Sequence, residues 1–206
     1  MILDSLQQPA FQLFGVDVRW SEVLGDLTGA ACVYLVARQH VLNWPLGLLN
    51  NVFWAVLFFH SRLYADATLQ GIFFVLGIYG WSVWVRRGPS RDAPLPVRRT
   101  RPREWWVMGG LAVPSTALAT FLLSRFTDSP VPLWDSLVLT LSLVATYGQA
   151  HKLLESWWVW ISVDVISVPL YLSRGLYPTA LLYVVFLALC VKGLRDWRRS
   201  LARAAA

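Results

Sequence analysis

Seven runs of apolar residues, sparsely broken by charge, divide the chain at approximately 22–37, 43–60, 67–85, 105–123, 134–150, 157–173 and 177–194. A bilayer core of about 30 Å needs about 20 residues of α-helix. Each run therefore predicts a membrane-spanning helix, several at the short end of the range. The connections near Leu42, Ser61, Ser156 and Arg174 are very short, so the spans they join are antiparallel hairpins. Residues 1–21 mix polar and apolar positions around Trp20. They predict an interfacial segment, with an eighth short helix as the alternative. The stretch Met1 to Asp17 has no basic start and no small-residue cleavage site, so no signal peptide is expected.

Charge orients the spans. The connection 86–104 carries seven arginines, from Arg86 to Arg103. The C-terminal end, including the segment 198–206, carries Lys192, Arg195, Arg198, Arg199 and Arg203. Basic residues stay on the cytoplasmic side. Placing both clusters inside, with an odd number of spans, puts the N-terminus outside and the C-terminus inside. The inside set then gains Arg38 and Lys152 and holds 14 of the 18 basic residues, leaving Arg19, Arg62, Arg125 and Arg174 outside.

Sliding the chain against itself by 113 positions aligns 22–84 with 135–197 without a gap, and 14 of 63 positions are identical. Among them are Tyr34 with Tyr147, Trp44 with Trp157, Gly80 with Gly193 and Trp84 with Trp197. The clustering of Trp, Tyr and Gly favours a duplication over two merely similar hairpins. The reading is an all-α integral membrane protein of seven spans. Repeats 22–85 and 134–197 are joined by the linking span 105–123. That odd span returns the chain across the bilayer, so the repeats run parallel about an axis along the membrane normal.

Composition sharpens the class. Of the 206 residues, 56% are hydrophobic and only 15% charged, with mean hydropathy +0.50 and 12 Trp. A soluble domain carries about 25% charge. A soluble enzyme, a disordered chain and a secreted disulfide scaffold are excluded. Cys32 and Cys190 sit in apolar runs without metal or redox spacing. The net charge of +6 is clustered between apolar runs, so the partner it implies is anionic membrane lipid, not nucleic acid.

Few polar groups lie inside the spans. Asp164 is the sharpest, because a carboxylate in mid-span is costly and rarely faces lipid. It either meets a ligand in a wet cavity or pairs within the bundle. It aligns with Asn51, so the two are expected to face one another across the repeat axis as a polar floor. Asn50 and Asn51 either read a ligand or glue helices together. Trp157 and Trp160 share a helix face. Trp20, Trp84, Trp105, Trp106, Trp134 and Trp197 are assigned to interfacial belts, while Trp54, Trp81 and Trp160 lie beside polar residues and suit stacking on a flat aromatic ligand. Glu22, Asp26 and Asp135 read as helix caps, and His60 and His151 as interfacial. Pro169 predicts a kink in the sixth span. No catalytic or metal-binding motif occurs, so neither enzymatic activity nor a cofactor is expected.

Residues 43–84 and 155–197 together resemble the PnuC family of bacterial vitamin transporters. The resemblance rests on Trp44, Gly47 and Asn50, on LYAD with Gln70, and on YGW at 79–81. It rests also on Trp157, Trp160 and Asp164, and on GLYPTA at 175–180. It implies facilitated diffusion of nicotinamide riboside across the bacterial inner membrane, followed by trapping through cytoplasmic phosphorylation. It also implies a SWEET-like fold and a homotrimer. The substrate-binding residues it implies are Asn50, Trp54, Gln70, Gln149, Trp157, Trp160 and Asp164. Relatives that carry thiamine or riboflavin keep those vitamins open as alternatives.

Overall fold

The computed structural model describes residues 6, 8–13, 15–60, 64–86, 95–127, 129–173 and 175–204. The expected connections at Ser61, Arg62 and Leu63 and at Arg174, with Arg87 and Arg91, lie outside the described residues, as do the side chains of Tyr64 and Asp66 in LYAD.

From Trp20 onward the described residues form seven successive helices: α1 (Trp20–Ala37), α2 (Asn43–His60), α3 (Tyr64–Arg86), α4 (Pro102–Phe126), α5 (Pro132–Ala150), α6 (Ser156–Ser173) and α7 (Tyr177–Ala204). Each expected span falls within one of them. A helix satisfies its own backbone polar groups, which a lipid surrounding cannot do. The apolar runs therefore become helices and the polar connections do not. The 18-residue helices α1, α2 and α6 are about 27 Å long at 1.5 Å per residue. Ala67–Arg86, α4 and α7 are long and apolar enough to cross a membrane on length and composition alone.

Two features at the ends go beyond the sequence reading. Before α1 lies a β-hairpin, β1 (Pro9–Leu13) paired antiparallel with β2 (Val16–Arg19). Gly15, at φ +80°, makes its turn. At the other end α7 does not stop at the membrane border but continues to Ala204. Leu194, Trp197 and Leu201 lie against the core, with Arg195, Arg198, Arg199 and Arg203 exposed on the opposite face.

Helix α1 packs on α2, α2 on α3, α3 on α5, α5 on α6, α6 on α7, and α7 back on α1. Six helices thus close a ring, and α4 packs outside it against α5. Helices α2 and α6 stand opposite one another.

The apolar core sits at the end of the ring that bears the arginines. Trp44 meets Trp84 edge to face at 5.6 Å, and Trp157 meets Trp197 in the same way at 5.4 Å. Such pairs contribute roughly 0.5–1.5 kcal/mol beyond their buried area. Glycine lets the helices approach. A Cβ on Gly80 would lie 2.1 Å from the Trp44 ring, and one on Gly193 2.4 Å from the Trp157 ring. Trp84 donates from Nε1 to the carbonyl of Gln149 (3.0 Å), and Trp197 to the carbonyl of Val36 (3.1 Å). These matched positions all lie 113 residues apart. Trp84 and Trp197, expected in an interfacial belt, are therefore buried clasps between helices. Trp20, Trp105, Trp106 and Trp134 do lie exposed.

The chain leaves α1 and α5 in one pattern. Gln39 N–H bonds the Val36 carbonyl as Lys152 N–H bonds that of Gln149, and both residues adopt positive φ, 55° and 49°. Each costs roughly 1–2 kcal/mol of backbone strain in a non-glycine residue.

Candidate functional site

Along α6, Trp157, Trp160, Asp164 and Ser167 follow at spacings of three and four residues, so they form one stripe. Four buried polar atoms on it lack a hydrogen-bond partner among the described residues: Trp157 Nε1, Trp160 Nε1, Asp164 Oδ2 and Ser167 Oγ. Each buried orphan costs about 1–3 kcal/mol, and a charged group more. Three donors or hydroxyls and one carboxylate therefore form a row of unused hydrogen-bonding capacity along a single face. Helix α7 supplies its neighbours. The Cys190 thiol lies beside Asp164, and Tyr183 lies beside Asp164, Ser167 and Tyr171. The Tyr183 ring is 5.1 Å from that of Tyr171 and 5.8 Å from that of Phe186.

The opposite helix is arranged differently. Asn50 directs its amide nitrogen into α1, donating to the Gly25 carbonyl and to Thr28 Oγ1. Trp54 packs its indole onto Gly25 and stacks on Phe58 at 5.5 Å. Both residues thereby hold α2 to α1. Gly29 sits between the Asn50 amide and the Phe186 ring, at 3.4 and 3.3 Å from its Cβ position, and so links this side to the α7 aromatics.

The expected residues thus separate into groups. Trp160 and Asp164 share the orphan stripe. Trp157 belongs to the same face but is 0% exposed and wedged against Gly193, so it is a packing residue with a free indole N–H. Gln149 is buried at the basic end, where its carbonyl receives Trp84. Gln70 is half-buried on α3. Among the described residues no hydrogen bond joins Asn50, Gln70 or Gln149 to the stripe. Trp81 is exposed on the outside of the bundle. His151, expected at the interface, shares a hydrogen bond of 2.8 Å between its Nε2 and the Tyr79 hydroxyl. A cavity of about 10 Å³, roughly one water in size, lies under α4 among Thr100, Trp105, Met108 and Ser156. None of the expected site residues lines it.

Ser167 and Tyr183 were not among the expected binding residues. A signal for both was present. Ser167 stands 113 positions after Trp54, and Tyr183 113 after Gln70, so each falls at the alignment offset from an expected residue.

Residues 19–199 match the family model described as nicotinamide mononucleotide transporter. The chain belongs to that family. It is similar to the nicotinamide riboside transporter PnuC of Escherichia coli (strain K12), at 28% identity covering 90% of this chain and 88% of that protein. It is similar as well to the riboflavin/roseoflavin transporter RibM of Streptomyces davaonensis, at 30% identity covering 93% and 91%. A crystal structure of the vitamin B3 transporter PnuC has the same fold, with a TM-score of 0.72 over 89% of this chain and 83% of that one, at 22% identity. The transporter family together with the apolar helices makes this a multi-pass protein of the bacterial inner membrane.

Proposed function

We propose that the chain carries nicotinamide riboside by facilitated diffusion, with the riboside bound inside the ring against α6. The observation that carries this reading is the stripe of orphaned polar atoms from Trp157 to Ser167. A riboside offers what the stripe lacks. Its hydroxyls donate to Asp164 and accept from the Trp160 N–H. Its cationic ring places a positive charge near a carboxylate that has none beside it among the described residues. Asn50, Trp54, Gln70, Gln149 and Trp157 complete the site by holding helices or by meeting the ligand as the ring rocks. The chain itself performs no covalent step, and phosphorylation by a separate kinase traps the product.

The same proposal treats residues 22–85 and 134–197 as parallel repeats, 105–123 as the linking span, and the basic end as cytoplasmic. Support comes from the reciprocal Trp84 and Trp197 hydrogen bonds and the twin Trp–Gly contacts. Assembly as a homotrimer belongs to this reading too. The face of α4 bearing Trp106, Val113 and Phe126 is exposed and meets either lipid or a second copy.

Riboflavin is the second reading, favoured by the 30% identity to RibM. Titrating purified protein with nicotinamide riboside, riboflavin and thiamine separates them. Asp164→Asn should weaken nicotinamide riboside binding about tenfold, equivalent to about 1.4 kcal/mol, and should affect the neutral flavin less. Its thermal midpoint in detergent should not fall, because the amide oxygen can still accept from the Cys190 thiol and no ion pair of Asp164 among the described residues is lost. A lower midpoint with unchanged affinity per folded molecule would make Asp164 a structural residue and defeat the proposed site.

A further inference from the structure

We propose that residues 95–101 form a latch that holds the cytoplasmic end of the ring shut, and that it must lift from the α5–α6 turn before the carried molecule can leave. The inference rests on the transport reading above.

The strap crosses that end in extended form. Arg98 N–H donates to the Lys152 carbonyl at 3.1 Å, and Leu154 N–H donates back to the Arg98 carbonyl at 2.9 Å, making a parallel bridge between Arg98 and Leu153. Two residues on, Thr100 donates both its N–H and its hydroxyl to Glu155 Oε2, each at 2.8 Å. Val97 is buried in the tryptophan cluster, with Leu95 packed against it. Beyond the bridge, the Arg98 guanidinium grips Glu104 at 2.8 and 2.6 Å. Glu104 in turn accepts the Arg101 N–H and caps α4. The strap is therefore tied at one side to the α5–α6 turn and at the other to α4.

Its position gives it a task. Directly beneath lies Lys152, whose ammonium is 4.4 Å over the Trp84 ring and 3.2 Å from Gln39 Oε1. Gln39 and Lys152 occupy the two matched turns, so this contact spans the seam between the halves of the ring. Opening the cytoplasmic end requires those turns to separate. A strap bonded across one turn, with Val97 wedged into the cluster below, opposes the separation. The latch is also breakable. A short set of hydrogen bonds and one apolar anchor hold it, in place of a continuous sheet. Its hydrogen bonds to the turn all go to residues 152–155, while Val97 packs into a cluster drawn from both halves, so lifting frees the turn and withdraws an apolar wedge from the seam.

A reversible cross-link tests this. Paired parallel strands place partner residues about 4.8 Å apart, inside the roughly 4.4–6.8 Å that a disulfide bridges. The full chain carrying Arg98→Cys and Leu153→Cys is reconstituted in vesicles, and uptake of labelled nicotinamide riboside is measured before oxidation, after it, and after reduction. Oxidation should cut uptake about tenfold or more, reductant should restore it, and riboside binding should be kept. Unchanged uptake by protein whose disulfide is verified by mass overturns the latch.

If that variant does not fold, Thr100→Val with Glu155→Gln loosens the strap. Labelling of a Gln39→Cys thiol from the cytoplasmic side should then accelerate about tenfold, and an unchanged rate overturns the proposal. Wild-type vesicles distinguish the two failures. No uptake of any of the three vitamins defeats the transport reading, while uptake by both wild type and locked protein defeats only the latch.

Discussion

The Lys152 ammonium reaches Gln39 Oε1 at 3.2 Å, and these two residues stand 113 positions apart, at the same place in two matched turns. Both hold positive φ without being glycine. Lys152 is 2% exposed, and the Trp84 ring lies beneath its charge. A strained backbone and a buried cation are two costs accepted at one point. They place a side chain from each half of the ring on the seam, at the end that holds the tryptophan cluster.

That burial sets a pH dependence. Desolvation pushes the Lys152 ammonium down to about 8 from its ordinary 10.5. Between those values the unfolded chain binds the proton and the folded chain does not, so stability rises with pH there. Below about 8 the cost of keeping the charge buried is fully present. Thermal midpoints of the wild type in detergent should therefore gain on those of Lys152→Met as pH rises from 8 to 10.5. Parallel curves would show that this lysine is not desolvated.

The glycines opposite the tryptophans should be intolerant. Gly193→Ala places a methyl 2.4 Å from the Trp157 ring, and Gly80→Ala places one 2.1 Å from the Trp44 ring. Neither ring has room to retreat, since each is packed against a second tryptophan. Each substitution should cost about 1–3 kcal/mol, the usual range for overpacking. Gly109→Ala, where nothing lies within 4 Å, should be neutral. Denaturation in mixed micelles compares the three, and equal stability of all of them would contradict the packing described.

The spans were legible because lipid leaves a long apolar run only one backbone solution. The recurrence of Trp44, Gly80 and Trp84 as Trp157, Gly193 and Trp197 at a fixed offset was legible, and the fold gives the two sets matching contacts. What those residues do was less legible. Tryptophan serves equally at a membrane border or in a core, and only the facing glycine decides. Asn50 reads from sequence as a ligand reader or as helix glue, and only the fold shows its amide nitrogen bonded into α1. The strap escaped notice because its basic composition signals orientation, while its backbone pairing with Lys152 and Leu154 depends on tertiary placement. Asp164 and Trp160 stood out from sequence because their cost in mid-membrane is intrinsic. Ser167 did not, because a serine hydroxyl in a helix ordinarily bonds its own backbone.

Orientation can be checked at exposed sites. Arg99 lies exposed on the strap and Arg125 at the far end of α4. Cysteine at Arg125 should react with an impermeant reagent added to intact cells, and cysteine at Arg99 only after the membrane is opened. The native thiols Cys32 and Cys190 lie within the bundle and should stay silent. Labelling of the Arg99 site in intact cells would invert the topology.

Energy coupling follows from what surrounds Asp164. A proton-driven carrier needs a relay of titratable groups reaching both faces. Among the described residues, no group of three or more His, Cys, Asp or Glu gathers as an ion site. Asp164 has Cys190, Ser167 and Tyr183 beside it rather than further carboxylates. In the proposed site, the Asp164 carboxylate is neutralised by the cationic riboside and needs no proton of its own. Under the proposed facilitated diffusion, the carrier equilibrates its substrate and does not concentrate it. In vesicles of purified protein, labelled nicotinamide riboside should reach equal concentrations inside and out. A pH or sodium gradient should leave that plateau unmoved. The phosphorylated riboside should compete poorly, because its phosphate would approach Asp164 with like charge. Uphill accumulation under a proton gradient would overturn the equilibrating mechanism and make Asp164, with Glu22 and Asp26 on α1, the first residues to test as a coupling path.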